Sequence, residues 1–136
     1  MSHSKPKVTP FLMFQGQAEE AINLYTSTFD QSEILSMMRY GPGQPGTEGS
    51  VMMASFSLHG QVFMANDSNV QHNFTFTPSI SMYVTCDTEE EIDRVFASLS
   101  EGGGVLMPLQ AYPFSEKFAW ISDRFGVSWQ LSLVKS

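Results

Sequence analysis

The 136-residue sequence contains one cysteine, Cys86, so no intrachain disulfide can form and a reducing cytoplasm is the expected compartment. Charge is scarce: Asp, Glu, Lys and Arg make up 15% of the residues. The 7 basic residues stand against 14 acidic ones, which leaves a formal net charge of −7. No basic stripe offsets that balance, so phosphate backbones are repelled and nucleic acid is not an expected partner. An acidic surface tolerates a cationic ligand, but keeping a small protein in solution is the simpler use of it. Long apolar runs are missing too. None approaches the roughly 20 residues that a membrane-spanning helix needs, so no membrane association is expected. The opening Met1-Ser2-His3-Ser4-Lys5-Pro6-Lys7 has no apolar stretch behind it and reads as a short tail rather than a signal peptide.

Apolar residues are present in quantity. They form 42% of the chain, which excludes a disordered acidic polymer and supplies the core of a single domain. Two segments carry helical periodicity. Ala18, Ala21, Ile22, Tyr25 and Phe29 recur at spacings of three and four, with Glu19, Glu20 and Asn23 on the other face. Ile92, Val95, Phe96 and Leu99 do the same against Glu90, Asp93 and Arg94. Thr88 with Glu91 spells a capping box at the start of this second helix, and Gly102-Gly103-Gly104 ends it. Strand patterns cover Val8 to Phe14, Ile34 to Tyr40, Val51 to Leu58 and Gln61 to Ala65, the last two joined by a tight turn at His59-Gly60. They resume at Ser79 to Thr85, Val105 to Gln110, Phe118 to Ser122 and Val127 to Val134. Asn66 to Phe76 is polar and irregular, and reads as a linker.

The order is therefore strand, helix, three strands, and then the same again. Glu20, Ile22 and Phe29 each stand 70 positions before Glu90, Ile92 and Leu99, so the halves superpose in register. Two copies are too few for a solenoid. They predict an α+β fold of two βαβββ modules, about 8–66 and 78–134, within one domain. Each module curves a small sheet under its helix, and the uncovered concave faces enclose a cavity. Alternation assigns the faces of two strands. Ile80, Met82 and Val84 point to the helix layer, leaving Ser79, Ser81, Tyr83 and Thr85 opposite. Trp129, Leu131 and Leu133 take one side of the last strand, and Ser128, Gln130 and Ser132 the other. Such a polar row either meets solvent or lines a pocket.

Particular residues are also familiar. Thr9-Pro10-Phe11-Leu12-Met13-Phe14, Ala18-Glu19-Glu20-Ala21 and Leu24-Tyr25 resemble the opening of PhnB-like proteins. Gly60 to Asp67 and the closing segment Phe118 to Leu131 are the more specific matches. PhnB-like proteins form a branch of the vicinal oxygen chelate superfamily, with glyoxalase I and the bleomycin- and fosfomycin-resistance proteins. Members of the branch often carry the label 3-demethylubiquinone-9 3-methyltransferase-like. The resemblance implies paired βαβββ modules, a homodimer, and a metal held by His, Glu or Gln on the first and last strands of the modules. The first-strand histidine position is occupied here by Thr9 or Pro10, and its counterpart in the second half by Ser79. Gln130 matches the last-strand glutamate, with Phe63 or Met64 near the equivalent place in the first half. Of these only Gln130 can coordinate, through a weak uncharged amide oxygen, so no metal and no cofactor is expected.

The functional reading is thus a metal-free module that binds a small molecule, with Thr9, Ser79, Ser81, Tyr83, Trp120 and Gln130 as pocket candidates. Aromatic faces such as Tyr83 and Trp120 suit a planar or cationic ligand, although core or dimer packing uses the same residues. The alternative is an enzyme, either of the glyoxalase or dioxygenase type or the methyltransferase of the label. The last normally needs a glycine-rich turn after the first strand, and Gln15-Gly16-Gln17-Ala18 has one glycine. Acid–base chemistry without metal has Asp67, Asp123 and Glu116 to draw on, but Asp123-Arg124-Phe125-Gly126 also spells a turn. No residue is singled out as catalytic.

Overall fold

The computed structural model describes residues 6–134, and the chain divides after Gln71 into two compact units. The first runs β1 (Phe11–Phe14), α1 (Ala18–Thr28), β2 (Glu33–Arg39), β3 (Val51–Leu58) and β4 (Gln61–Asp67). The second runs β5 (Ser81–Cys86), α2 (Glu89–Ser100), β6 (Gly104–Tyr112), β7 (Ser115–Ser122) and β8 (Ser128–Leu133). The two sheets share one topology, β1-β4-β3-β2 and β5-β8-β7-β6. In each, the first and last strands pair in parallel and the remaining ladders are antiparallel. The fold class is α+β with a duplicated βαβββ unit. The tail reading over residues 1–5 lies outside the described residues. No helix among the described residues is long and apolar enough to cross a membrane.

Each helix covers one face of its own sheet. Ala18, Ala21, Ile22 and Tyr25 of α1 are buried, and the Tyr25 ring meets Phe56 of β3 with centroids 6.4 Å apart. Phe56 in turn stacks on Phe63, its direct partner on β4. Ile92, Val95 and Leu99 of α2 are buried in the same way. Burying each such aliphatic side chain contributes about 1.5–3 kcal/mol. The helix starts differ. The Thr88 hydroxyl accepts the Glu91 N–H at 3.1 Å, as the capping pattern predicts. Glu91 returns its bond one residue earlier than expected, to the Asp87 N–H at 2.8 Å. α1 has no local cap. Its first donors, the N–H groups of Gly16 and Ala18, reach Asp67 Oδ1 at the end of β4.

The elements fall where periodicity places them, while several ends move. At His59-Gly60 both residues have positive φ, 49° and 92°, as a two-residue hairpin turn requires. β1 starts at Phe11 rather than Val8, because Pro10 has no N–H to give and pairs only through its carbonyl, which accepts from Met64 N at 2.9 Å. Asn66 and Asp67, expected in the linker, extend β4. Ser79 and Ile80 precede β5, and Ile80 is 69% exposed instead of facing the helix. The cause is a turn in which the Ile80 N–H bonds to the Thr77 carbonyl. Phe29, expected in α1, is its extended C-cap.

Candidate functional site

The face of the second sheet opposite α2 can be assigned from contacts. Lys117 of β7 reaches Asp93 and Glu89 of α2 at 2.8 and 3.3 Å, so Lys117, Ala119 and Ile121 lie on the helix side. Phe118, Trp120 and Ser122 therefore point the other way. Strand register then builds rows across that open face. Tyr83 of β5, Gln130 of β8, Trp120 of β7 and Met107 of β6 form one row. Ser81, Ser128 and Ser122 form the next.

The two rows are tied by hydrogen bonds. Gln130 Nε2 donates to Ser81 Oγ at 3.3 Å, the Ser81 and Ser128 hydroxyls lie 2.7 Å apart, and Trp120 Nε1 donates to Ser128 Oγ at 2.9 Å. Gln130 spends one amide N–H in this chain, and among the described residues no contact engages its carbonyl oxygen, which remains an acceptor. Beside the polar chain sits an aromatic cluster. Phe118 is buried beneath Tyr83, Tyr112 and Phe114, with ring centroids 6.5, 5.8 and 4.9 Å away. Tyr83 is 59% exposed, so its ring is presented outward. An exposed ring beside an amide acceptor and an anchored indole can stack on a flat ligand and accept one hydrogen bond from it.

Four of the six residues proposed from sequence, Ser81, Tyr83, Trp120 and Gln130, thus occupy one surface of the second unit. Ser79 stands apart from it in the preceding turn, where its hydroxyl lies 3.0 Å from that of Thr77. Thr9 precedes β1 in the first unit. Sequence reasoning missed Ser128, which links Ser81 to Trp120, although the alternation that picked out Gln130 also marks it. It also misplaced the first-half counterpart of Gln130. The parallel ladders pair Met13 with Asn66 and Tyr83 with Gln130, and Phe11 with Met64 as Ser81 with Ser128. The equivalent residue is therefore Asn66 rather than Phe63 or Met64. The error arose because β4 continues two residues beyond its apolar pattern.

Of the carboxylates singled out from sequence, Asp123 and Asp67 are structural, while Glu116 is exposed on β7. Asp123 Oδ1 accepts the N–H groups of Phe125 and Val127 at 2.9 and 3.0 Å, and Oδ2 accepts Trp129 Nε1 at 2.9 Å. Asp67 uses Oδ1 for Gly16 and Ala18, and Oδ2 for Val51 N at 2.9 Å. With both oxygens of each group engaged, neither is placed to collect a substrate proton. Cys86 is buried, and burial, helped by the nearby Glu91 and Asp87 charges, pushes its thiol up to about 12. Such a thiol is not a nucleophile at neutral pH.

The metal implied by the superfamily does not fit this donor set. The row that would hold it offers one neutral amide between a phenol and an indole, and the equivalent position in the first unit is again an amide. Among the described residues, no group of three or more His, Cys, Asp or Glu side chains is placed to hold an ion. His59 lies in the hairpin turn, and His72 stacks on Phe74 at 4.7 Å. The methyltransferase cofactor fits no better. Gly16 is the one glycine after β1, and its N–H is already committed to Asp67.

The family described as 3-demethylubiquinone-9 3-methyltransferase matches residues 6–132 of this chain. The solved structure of the PhnB protein from Bacillus cereus superposes with a TM-score of 0.93 at 62% identity, covering 95% of this chain and all of its own. Protein YjdN of Escherichia coli K12 is 22% identical over 94% of this chain and 95% of its own length. A glyoxylase/bleomycin resistance protein/dioxygenase domain from Frankia sp. EAN1pec shares the fold, with a TM-score of 0.66 at 15% identity over 98% of this chain and 100% of that one. The duplicated βαβββ unit, the parallel pairing of its ends and these matches agree: the chain belongs to the 3-demethylubiquinone-9 3-methyltransferase family, alongside the PhnB protein, and shares its fold with the glyoxylase/bleomycin resistance/dioxygenase domain.

Proposed function

We propose that this protein is a metal-free small-molecule-binding member of its family, and that the open face of the second sheet takes part in binding. The observation that carries this is the row Tyr83–Gln130–Trp120, an outward ring, an amide acceptor and an indole fixed by the Ser81–Ser128 hydroxyl pair. Ser79 and Thr9 are the further contacts proposed. The same reading takes the chain as one domain that works as a homodimer in the cytoplasm, with apolar groups such as Leu35 and Met38 on edge strand β2 available for the contact.

Tryptophan emission tests the reading directly, because Trp129 is buried while Trp120 is only partly covered. A panel of planar aromatic and amphipathic compounds is expected to give a saturable change that Trp120→Phe abolishes and Gln130→Leu weakens about tenfold, the worth of one hydrogen bond to a ligand. No response across the panel would count against a small-molecule role. Calorimetric titration with S-adenosylmethionine addresses the family label, and saturable binding there would favour the methyltransferase over this proposal. Light scattering that found only monomer at working concentration would remove the dimer.

A further inference from the structure

Gln130 can give a hydrogen bond or take one, and which it offers a ligand depends on which end of its amide points outward. An amide has much the same outline either way round, so the choice falls to the hydrogens of its neighbours. Ser81 and Ser128 are direct partners on β5 and β8, and their hydroxyls lie 2.7 Å apart. The Trp120 indole has only a hydrogen to give, and Ser128 Oγ takes it at 2.9 Å. The Pro78 carbonyl can only accept. It lies 3.4 Å from Ser81 Oγ and 3.5 Å from Ser128 Oγ.

Each serine has a single hydroxyl hydrogen, and both hydrogens have acceptors without Gln130. If Ser81 donates to Ser128, then Ser128 donates to Pro78. If Ser128 donates to Ser81, then Ser81 donates to Pro78. In both arrangements the Ser81 hydrogen is engaged and a lone pair on its oxygen is open, so Gln130 meets it with Nε2, at 3.3 Å. The network then makes four bonds, from Trp120, from Gln130, between the serines and to Pro78. Turning the amide over would set Oε1 on Ser81 and claim the Ser81 hydrogen. Either the contact between the serines or the Pro78 carbonyl would then go without, and one bond of the four would be lost.

We propose that Ser81, backed by Ser128 and the Pro78 carbonyl, is the positioning residue that sets what the second-sheet site accepts. It acts through Gln130, holding the amide oxygen outward. The inference rests on the binding role proposed above and names the ligand class: a planar compound presenting an N–H or O–H, over one of the same outline that presents only an acceptor.

Indole and benzoxazole are bicycles of one outline, the first offering a ring N–H and the second ring acceptors only. Each is titrated into the 15N-labelled full chain, and the Trp120 indole and Gln130 amide resonances are followed by NMR. Indole is expected to bind the wild type about tenfold more tightly. Ser81→Ala frees the amide to turn its N–H outward, so benzoxazole should gain and the preference should fall to about twofold or less. Ser81→Thr keeps the hydroxyl and should restore the preference. Adding Gln130→Glu to Ser81→Ala puts an oxygen outward whichever way the side chain turns, and should restore it as well. A serine that merely joined β5 to β8 would allow no such rescue. Backbone resonances report whether each variant folds, and Ser81→Cys, with its weakly accepting sulfur, replaces Ser81→Ala if that variant does not. Equal affinities in the wild type, an unchanged preference in Ser81→Ala, or weakening of both probes alike would overturn this inference and leave the binding role standing. No saturable shift with either probe would overturn it too, and the wider panel above would then decide the binding role alone.

Discussion

Asp123 and Asp67 show what a residue's own neighbourhood in sequence can and cannot disclose. Asp123 precedes its donors by two, four and six positions, so the turn was readable from Asp123-Arg124-Phe125-Gly126 alone. Asp67 makes an equally complete set of bonds, but with donors 16, 49 and 51 positions away, and nothing local announces it. Cys86 carries a consequence that pH can measure. Its thiol is raised to about 12 in the folded chain, against about 8.5 when unfolded. Between these values the unfolded state loses the proton first, so the stability present below about pH 8.5 declines as pH climbs towards 12. Urea midpoints at pH 7.5 and pH 10 should therefore fall further for the wild type than for Cys86→Ala. An equal fall in both proteins would show that the thiol is not held protonated by the fold.

At the level of elements, strand and helix centres were legible and their ends were not. Alternation and the three-four spacing report burial, and burial is densest in the middle of an element. The ends depend on backbone partners instead, as Pro10, Ile80 and Asn66 show. β6 is the extreme case. Its ladder to β7 has three register irregularities, so no single alternation runs along Gly104 to Tyr112. The glycines after α2 illustrate the same limit. A helix stop was expected there, and Gly102 does adopt a positive φ of 78°. Gly103 has a second task invisible in sequence, for a Cβ on it would overlap the Ser122 carbonyl oxygen and the backbone of Asp123. Gly103→Ala should push β6 from the end of β7 and destabilise the protein by about 1–3 kcal/mol in thermal or urea unfolding. Gly104→Ala, where a Cβ meets nothing within 4 Å, is the matched control and should cost far less.

Across the whole molecule, duplication made the fold readable. Every pattern is written twice, so a weak signal in one half is checked by the other, and Ile22 and Ile92 end up fully buried as a matched pair. Truncating either to Ala should cost about 2–5 kcal/mol, and the two losses should be alike if the units are stabilised alike. Denaturant titration of both variants makes the comparison, and a large loss at one position with little at the other would break the equivalence. The candidate site was less readable, because its rows run across strands and depend on register. A slip of one residue exchanges the two faces of a strand, which is why the counterpart of Gln130 was sought at Phe63 or Met64 and lies at Asn66.

The parallel pairing of β1 with β4, and of β5 with β8, bears on how such a unit can be rewired. Because the two strands run the same way, the end of β4 lies beside Phe14, at the far end of β1 from Phe11. A permuted unit, opened in the His59-Gly60 turn and rejoined through its natural ends, must run its new linker back along the sheet past β1. Four strand residues at about 3.3 Å each set that distance at about 13 Å, so a direct splice would tear the ladder and a linker of about five residues or more would spare it.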